Sequence, residues 1–280
     1  MQKILVTTDF SANSKAGLRF AIQLALQHKY DLTFFHCYYV MKPTSWTDAK
    51  INAYEKQETI KIQDQLNRFV HSVYKSMHVV AKNIKCVIKS SLQTKTTIRE
   101  YALRNKFSYI CISTRGAGKI KKIFGTNTSS LINHSDVPVI AVPSPWRPNR
   151  VTHILYASDL TELSKELKQV LEFSTRIKAK VEVLHFNSPS EIITDSNILA
   201  AAIREFSRYN VALHVEEPNP IQTFIGNLET AIQKSKPSLM IMFTQQNRTF
   251  FEKLFQSSRS ANYTFNAKIP LLVFKKTGNK

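Results

Sequence analysis

The residues best suited to chemistry run from Ser113 to Ser130: Ser-Thr-Arg-Gly-Ala-Gly-Lys-Ile-Lys-Lys-Ile-Phe-Gly-Thr-Asn-Thr-Ser-Ser. Three of the chain's six glycines, Gly116, Gly118 and Gly125, fall inside this stretch. Glycine lets the backbone come close to a ligand, and the free amides of a helix start attract phosphate. Lys119, Lys121 and Lys122 add positive charge, and Thr126 brings a hydroxyl to the expected helix start. The apolar runs Tyr109–Ile112 and Val137–Val142 on either side read as strands. A glycine-rich turn between a strand and a helix can hold an anion, above all the phosphates of a nucleotide.

Such a loop needs a sheet beneath it, and the first half of the chain supplies one. Lys3–Thr8 reads as a strand, and Ser11 or Asn13 can cap a helix whose stripe is Leu18, Ala21, Ile22, Leu24 and Ala25. Asp31–Val40 is a second strand, and Met41–Trp46 a loop. Residues 49–77 form a long helix with Ile60, Ile62, Leu66, Phe69, Val70 and Val73 inward. Ile84–Ile88 is a third strand, Thr96–Arg104 a helix, and Phe107–Thr114 a fourth strand. A helix over Thr126–His134 and a fifth strand over Val137–Val142 complete the series. Strands alternating with helices predict an α/β fold with a parallel sheet and right-handed crossovers.

Pro143, Pro145 and Pro148 then form a stiff connector. We expect domains at 1–143 and 151–280, joined by a linker over 144–150. The second half repeats the first. His153–Leu160 echoes Lys3–Phe10, with Asp159 in the place of Asp9. Glu162–Ile177 echoes the first helix, and Lys180–Asn187 echoes the second strand, with His185 where His36 stands. Helices over Ile192–Tyr209 and Phe224–Lys234 and a strand over Val211–Val215 follow. Ser238–Thr244 and Ile269–Phe274 echo the fourth and fifth strands. The repeat breaks at the loop. Gln245–Ser258 has no glycine, and Phe250, Phe251, Leu254 and Phe255 read as filling a vacated pocket and touching the other domain.

Net charge is +19, and its distribution is uneven. Residues 1–150 carry 23 Lys+Arg against 8 Asp+Glu, and residues 151–280 carry 16 against 12. The lysines of the first half are spread out rather than gathered in one arm, which favours a solvated surface over a nucleic-acid footprint. No apolar run approaches a membrane span. The start at Met1–Asp9 enters a strand without a signal-peptide layout, so a cytoplasmic protein is expected. Cys37, Cys86 and Cys111 stand in strand-like runs and read as buried free thiols. His36 and His185 read as structural, since no Cys/His cluster accompanies them, and no metal site is expected. His134 reads as stabilising a helix end, and Trp46 and Trp146 as packing anchors. No nucleophile elbow, HExxH or full Walker loop is present, so any hydrolysis of a bound nucleotide would lack an obvious base and be slow.

Taken together, Ile4–Ser11, the glycine loop and His134–Pro143 resemble the universal stress protein family in its two-domain form. The family's nucleotide-binding motif is Gly, two residues, Gly, nine residues, then Gly with Ser or Thr. Here Ser113 stands at the first glycine, Gly116 at the second, and Gly125-Thr126 at the last pair, after a spacer of eight residues, Ala117–Phe124.

The resemblance implies two tandem five-stranded parallel-sheet domains, Rossmann-like and of the adenine nucleotide alpha hydrolase type, packed as a pseudo-dimer. It implies ATP or AMP, with or without Mg2+, across the carboxyl ends of the first domain's strands. Thr8, Asp9 and Phe10 would hold adenine or ribose, and Val40 and Met41 would flank the base. Ser113, Arg115, Gly116, Gly118, Lys119, Gly125, Thr126 and Asn127 would surround the phosphates. Asp9 can equally serve the first helix as a cap, as its repetition at Asp159 indicates. The expected function is stress signalling by binding. The edges Val137–Val142 and Ile269–Phe274 are the expected surface for pairing of the two domains, with homodimerisation as an addition. Two other readings stay open: a nucleotide-free interaction scaffold, and, ranked last, a basic nucleic-acid binder.

Overall fold

The computed structural model describes residues 1–280 except 42, 44, 115–125, 161, 187–203, 205–210, 245–267 and 277–280. Two compact units emerge, Met1–Thr114 with Thr126–Pro148, and the residues from Asn149 on.

In the first unit the described elements are β1 (Gln2–Thr7), α1 (Lys15–Gln27), β2 (Tyr30–Tyr38), α2 (Asp48–Ser76), β3 (Lys85–Ser90), α3 (Thr94–Arg104), β4 (Tyr109–Thr114), α4 (Thr126–His134) and β5 (Val139–Pro143). The strands run in the order β3-β2-β1-β4-β5, and the paired strands are parallel. Ile4, Leu5 and Val6 are fully buried, as a central parallel strand covered on both faces requires. The α1 stripe buries Leu18, Phe20, Ala21, Ile22 and Leu24, while Ala25 is only half-buried.

The long helix corrects the expected inner face. α2 buries Leu66, Val70, Val73 and Tyr74, and leaves Ile60 62% exposed. At 3.6 residues per turn, Ile60 sits roughly 120° off the stripe that Leu66 begins, so it faces outward despite its side chain. β2 ends at Tyr38, so Val40 lies beyond the strand, where it is buried, and Met41 is exposed. Trp146 packs edge-on against Phe20 of α1, with ring centroids 5.2 Å apart, and so anchors the proline-rich segment to the first unit. Trp46 packs in the same manner on Tyr54, under the Lys50 ammonium. His134 hydrogen-bonds the Ser130 carbonyl in the last turn of α4.

The second unit contains β6 (His153–Ala157), α5 (Leu163–Ile177), β7 (Lys180–Phe186), β8 (Val211–Glu216), α6 (Phe224–Ser235), β9 (Leu239–Phe243) and β10 (Leu271–Phe274). Its order is β8-β7-β6-β9-β10, again parallel. That is the order of the first unit repeated. The helix expected over Ile192–Tyr209 and the glycine-free stretch Gln245–Ser258 lie outside the described residues, apart from Arg204. The cysteines are unbridged. Cys111 is buried, but Cys37 and Cys86 are half-buried rather than fully enclosed, because both lie on strands toward the edge of the sheet.

Candidate functional site

In each unit the crossovers change direction between the first and fourth strands, β1 and β4 or β6 and β9. An open parallel sheet takes ligands outside the carboxyl ends at such a switch point. Thr8, Asp9 and Phe10 follow β1 directly, Ser113 and Thr114 end β4, and Val40 and Met41 follow β2. These seven residues therefore stand at three adjacent strand ends. Arg115, Gly116, Gly118, Lys119 and Gly125 lie outside the described residues, as does the Thr126 side chain; Asn127 is exposed in the first turn of α4.

The turn from β1 into α1 is built from short side chains. Ser14 Oγ donates to the Ser11 carbonyl at 2.8 Å, which uses its one proton. The 2.8 Å contact between Thr8 Oγ1 and Ser14 Oγ is then donated by Thr8. Thr8 Oγ1 in turn accepts the Phe10 amide at 3.0 Å. Asp9 Oδ1 accepts both the amide and the hydroxyl of Ser11, at 3.0 and 2.5 Å. Asp9 thus folds the turn and does not cap the helix. Partial burial pushes the Asp9 carboxyl up, but the Ser11 hydrogen bonds outweigh it and the net direction is down. The exposed group is therefore an ionised acceptor facing solvent.

Phe10 is held at φ 62°, a left-handed conformation uncommon for a bulky residue. Its ring lies 4.1 Å from that of His36 and meets Phe69 edge-on at 5.7 Å. His36 Nδ1 stands 2.8 Å from the Thr8 carbonyl, which can only accept, so Nδ1 carries the proton. Burial pushes the His36 pKa down, against the Thr8 carbonyl and Asp9, which pull it up.

Ser113 does not face outward as a spare hydroxyl. Its Oγ accepts the Gly17 amide at 2.6 Å and donates to the Ser14 carbonyl at 2.9 Å. Gly17 is wedged there: a Cβ on it would lie 2.9 Å from Ser113 Oγ and 3.1 Å from Ser113 N. The Cys111 thiol closes the same seam by donating to the Gly17 carbonyl at 3.3 Å.

The second unit keeps the frame of this turn and changes its contents. Ser158 Oγ accepts the Leu160 amide at 3.0 Å, as Thr8 does for Phe10. His185 Nδ1 donates to the Ser158 carbonyl at 3.0 Å, as His36 does to Thr8. Leu160 has φ 62°, the same value as Phe10. In the place of Ser113, however, stands Phe243, stacked on Phe274 at 5.1 Å and edge-on to Tyr156 at 5.8 Å. Glu166, 2% exposed, accepts a hydrogen bond from the Tyr156 hydroxyl. Lys276 Nζ lies 3.5 Å from Asp159 and 3.7 Å from Glu166, and its amide donates to Thr244 Oγ1. Among the described residues, an ammonium meets Asp159 in the second unit, whereas the exposed Asp9 of the first hydrogen-bonds with Ser11.

Sequence reading missed Tyr156, Glu166 and Lys276. The one legible signal was a carboxylate in the apolar stripe Leu163, Leu167, Val170 of α5. Among the described residues, no three His, Cys, Asp or Glu side chains are placed to hold a metal ion. No described helix is long and apolar enough to cross a membrane.

Two parallel α/β units with the same strand order define the fold class. Comparison with known proteins narrows it. The family model described as "Universal stress protein family" matches residues 1–143, and the chain belongs to that family. The fold is similar to that of a universal stress protein from Archaeoglobus fulgidus DSM 4304, with 14% identity, 98% of each chain covered and a TM-score of 0.65. A putative universal stress protein from Pseudomonas aeruginosa UCBPP-PA14 is similar at 14% identity, covering 98% of this chain and 93% of its own, with a TM-score of 0.53. None of the curated proteins matches the chain.

Proposed function

We propose that this universal stress protein binds an adenine nucleotide, ATP or AMP, in its first unit, and acts in stress adaptation by binding rather than turnover. The observation that carries the reading is Asp9. It is an exposed carboxylate, held in its ionised form by Ser11, at the end of β1 and at the switch point. Such a group accepts hydrogen bonds from sugar hydroxyls. Thr8 and Phe10 support it, Val40 and Met41 flank the base, and Gly116, Gly118, Lys119, Gly125, Thr126 and Asn127 take the phosphates with any Mg2+. Arg115 adds charge. Ser113 contributes by fixing α1 against β4, since its hydroxyl is committed to Gly17 and Ser14.

Mass spectrometry of the denatured, freshly purified protein tests this. Co-purified ATP or AMP is expected, together with a rise in melting temperature on adding millimolar ATP. Gly116→Val and Gly125→Val abolish that rise, while Gln245→Ala and Asn247→Ala leave it. Absence of both the nucleotide and the rise establishes the alternative, a nucleotide-free interaction scaffold. The committed Ser113 hydroxyl is the observation that keeps this alternative in view.

A further inference from the structure

The opposite end of the first unit holds a cavity of about 500 Å³. It lies at the amino ends of β1, β2 and β3, where Lys3, Asp31 and Lys85 begin their strands. From Lys3 to Thr8 along β1, at about 3.3 Å per residue, is roughly 16 Å, so it is separate from the switch point. Its volume is in the range of small-molecule sites, about 300–1,000 Å³.

The walls are aromatic. Tyr30, Tyr74 and Phe107 are almost fully buried and line it together with the half-buried Tyr101. Burial pushes the Tyr74 and Tyr101 phenols up, so both stay neutral. At the mouth, Leu26 is 58% and Val80 77% exposed. The charged groups are mainly cationic: exposed Lys3, Lys82 and Lys85, against the single carboxylate Asp31. Lys3 is already oriented by donating to the Asn105 carbonyl at 3.2 Å.

The connections that frame the cavity are fixed by their backbones. His78, Asn83 and Lys106 take left-handed φ values of 54°, 50° and 53°. The Val79 amide returns to Tyr74 O at 3.1 Å, and the Phe107 amide to Ala102 O at 2.9 Å. The cavity is therefore formed before a ligand arrives, which lowers the cost of binding.

Charge selects the ligand. α1, α2 and α3 all end here, each contributing about half a negative charge. With Asp31, these ends offset part of the charge of the three lysines, while Lys75 and Arg104 in the last turns of α2 and α3 work against them. The balance stays positive and favours an anionic group on a flat apolar body. We propose that the amino ends of β1–β3 form a second ligand site, for an aromatic monoanion carrying a carboxylate or sulfonate.

The probe is 8-anilinonaphthalene-1-sulfonate, an aromatic monoanion, titrated into the full folded chain and read by its fluorescence. Saturable binding with one site per chain is expected, unchanged by millimolar ATP and by Gly116→Val. Ala25→Trp, which fills the cavity from α1, abolishes it. Lys82→Glu with Lys85→Glu, both on exposed side chains that folding does not need, weakens it by about tenfold. Lack of saturable binding overturns the proposal. So does binding that ATP displaces, or binding that neither variant weakens. Because the readout is independent of the nucleotide, loss of ATP binding alone leaves this site standing.

Discussion

Ser113 Oγ and the Gly17 amide, 2.6 Å apart, cap α1 from the end of β4. A helix leaves its first amides without internal partners. Ser14, the residue at the N-cap of α1, makes no side-chain cap bond, because its hydroxyl is taken by Ser11 and Thr8. The cap is supplied instead by a residue 96 positions away in sequence.

Ser113→Ala should therefore lower stability by about 1 kcal/mol, the usual cost of losing a cap. Gly17→Ala should cost more, since the new Cβ meets the Ser113 backbone nitrogen at 3.1 Å as well as its hydroxyl. Combining Gly17→Ala with Ser113→Gly should recover only part of that loss, because the backbone contact remains. Urea unfolding midpoints of the three variants check this.

His36 gives a pH dependence with a definite sign. Burial holds its folded pKa below the unfolded value of about 6.5. Its contribution is then fully present above about pH 6.5 and is lost as the pH falls through the lower folded value. Stability of the first unit should drop across that interval, and His36→Gln should flatten the drop. Denaturant unfolding between neutral and mildly acid pH reads it.

In the second unit the Lys276 ammonium stands between Asp159 and the almost fully buried Glu166. Removing one partner of a buried pair costs about 3 kcal/mol or more, and Lys276, at 15% exposed, should fall somewhat below that. Lys276→Met should destabilise the second unit by about 2 kcal/mol, and adding Glu166→Gln should restore most of it. Chemical denaturation of the single and double variants decides whether the network holds the C-terminal strand.

The thiols should separate by reactivity. Cys111 is fully buried and its thiol is pushed up strongly by burial, while burial pushes Cys86 up to about 11. Thiolates react and thiols do not. Ellman's reagent on the native protein at pH 8 should leave Cys111 untouched and label Cys86 slowly, with all three reacting after unfolding.

Much of this fold was legible because each element carries its own period. The stripe of α1 and the apolar runs of the strands named their own positions. The correspondence of His36 with His185 reappears as matched hydrogen bonds to Thr8 and Ser158, whereas Asp9 and Asp159, matched in sequence, meet Ser11 and Lys276 instead. What sequence could not give were pairings across long separations. Whether Ser113 faces a ligand or Gly17 depends on how deeply α1 sits on β4. Lys276 meets Asp159 only because β10 ends near the turn after β6, which no local pattern encodes. Ile60 was misplaced by its hydrophobicity, where helical phase decided the matter.

The left-handed residue after each repeated aspartate now acquires a comparative meaning. Phe10 and Leu160 hold the same φ of 62° over one shared frame, although the side chains around them have diverged. A backbone conformation held in both units does not by itself mark which of them binds a ligand. Each unit thus serves as the other's reference state, and what distinguishes them is the surroundings of that shared turn: Ser11 at Asp9, and Lys276 with Glu166 at Asp159.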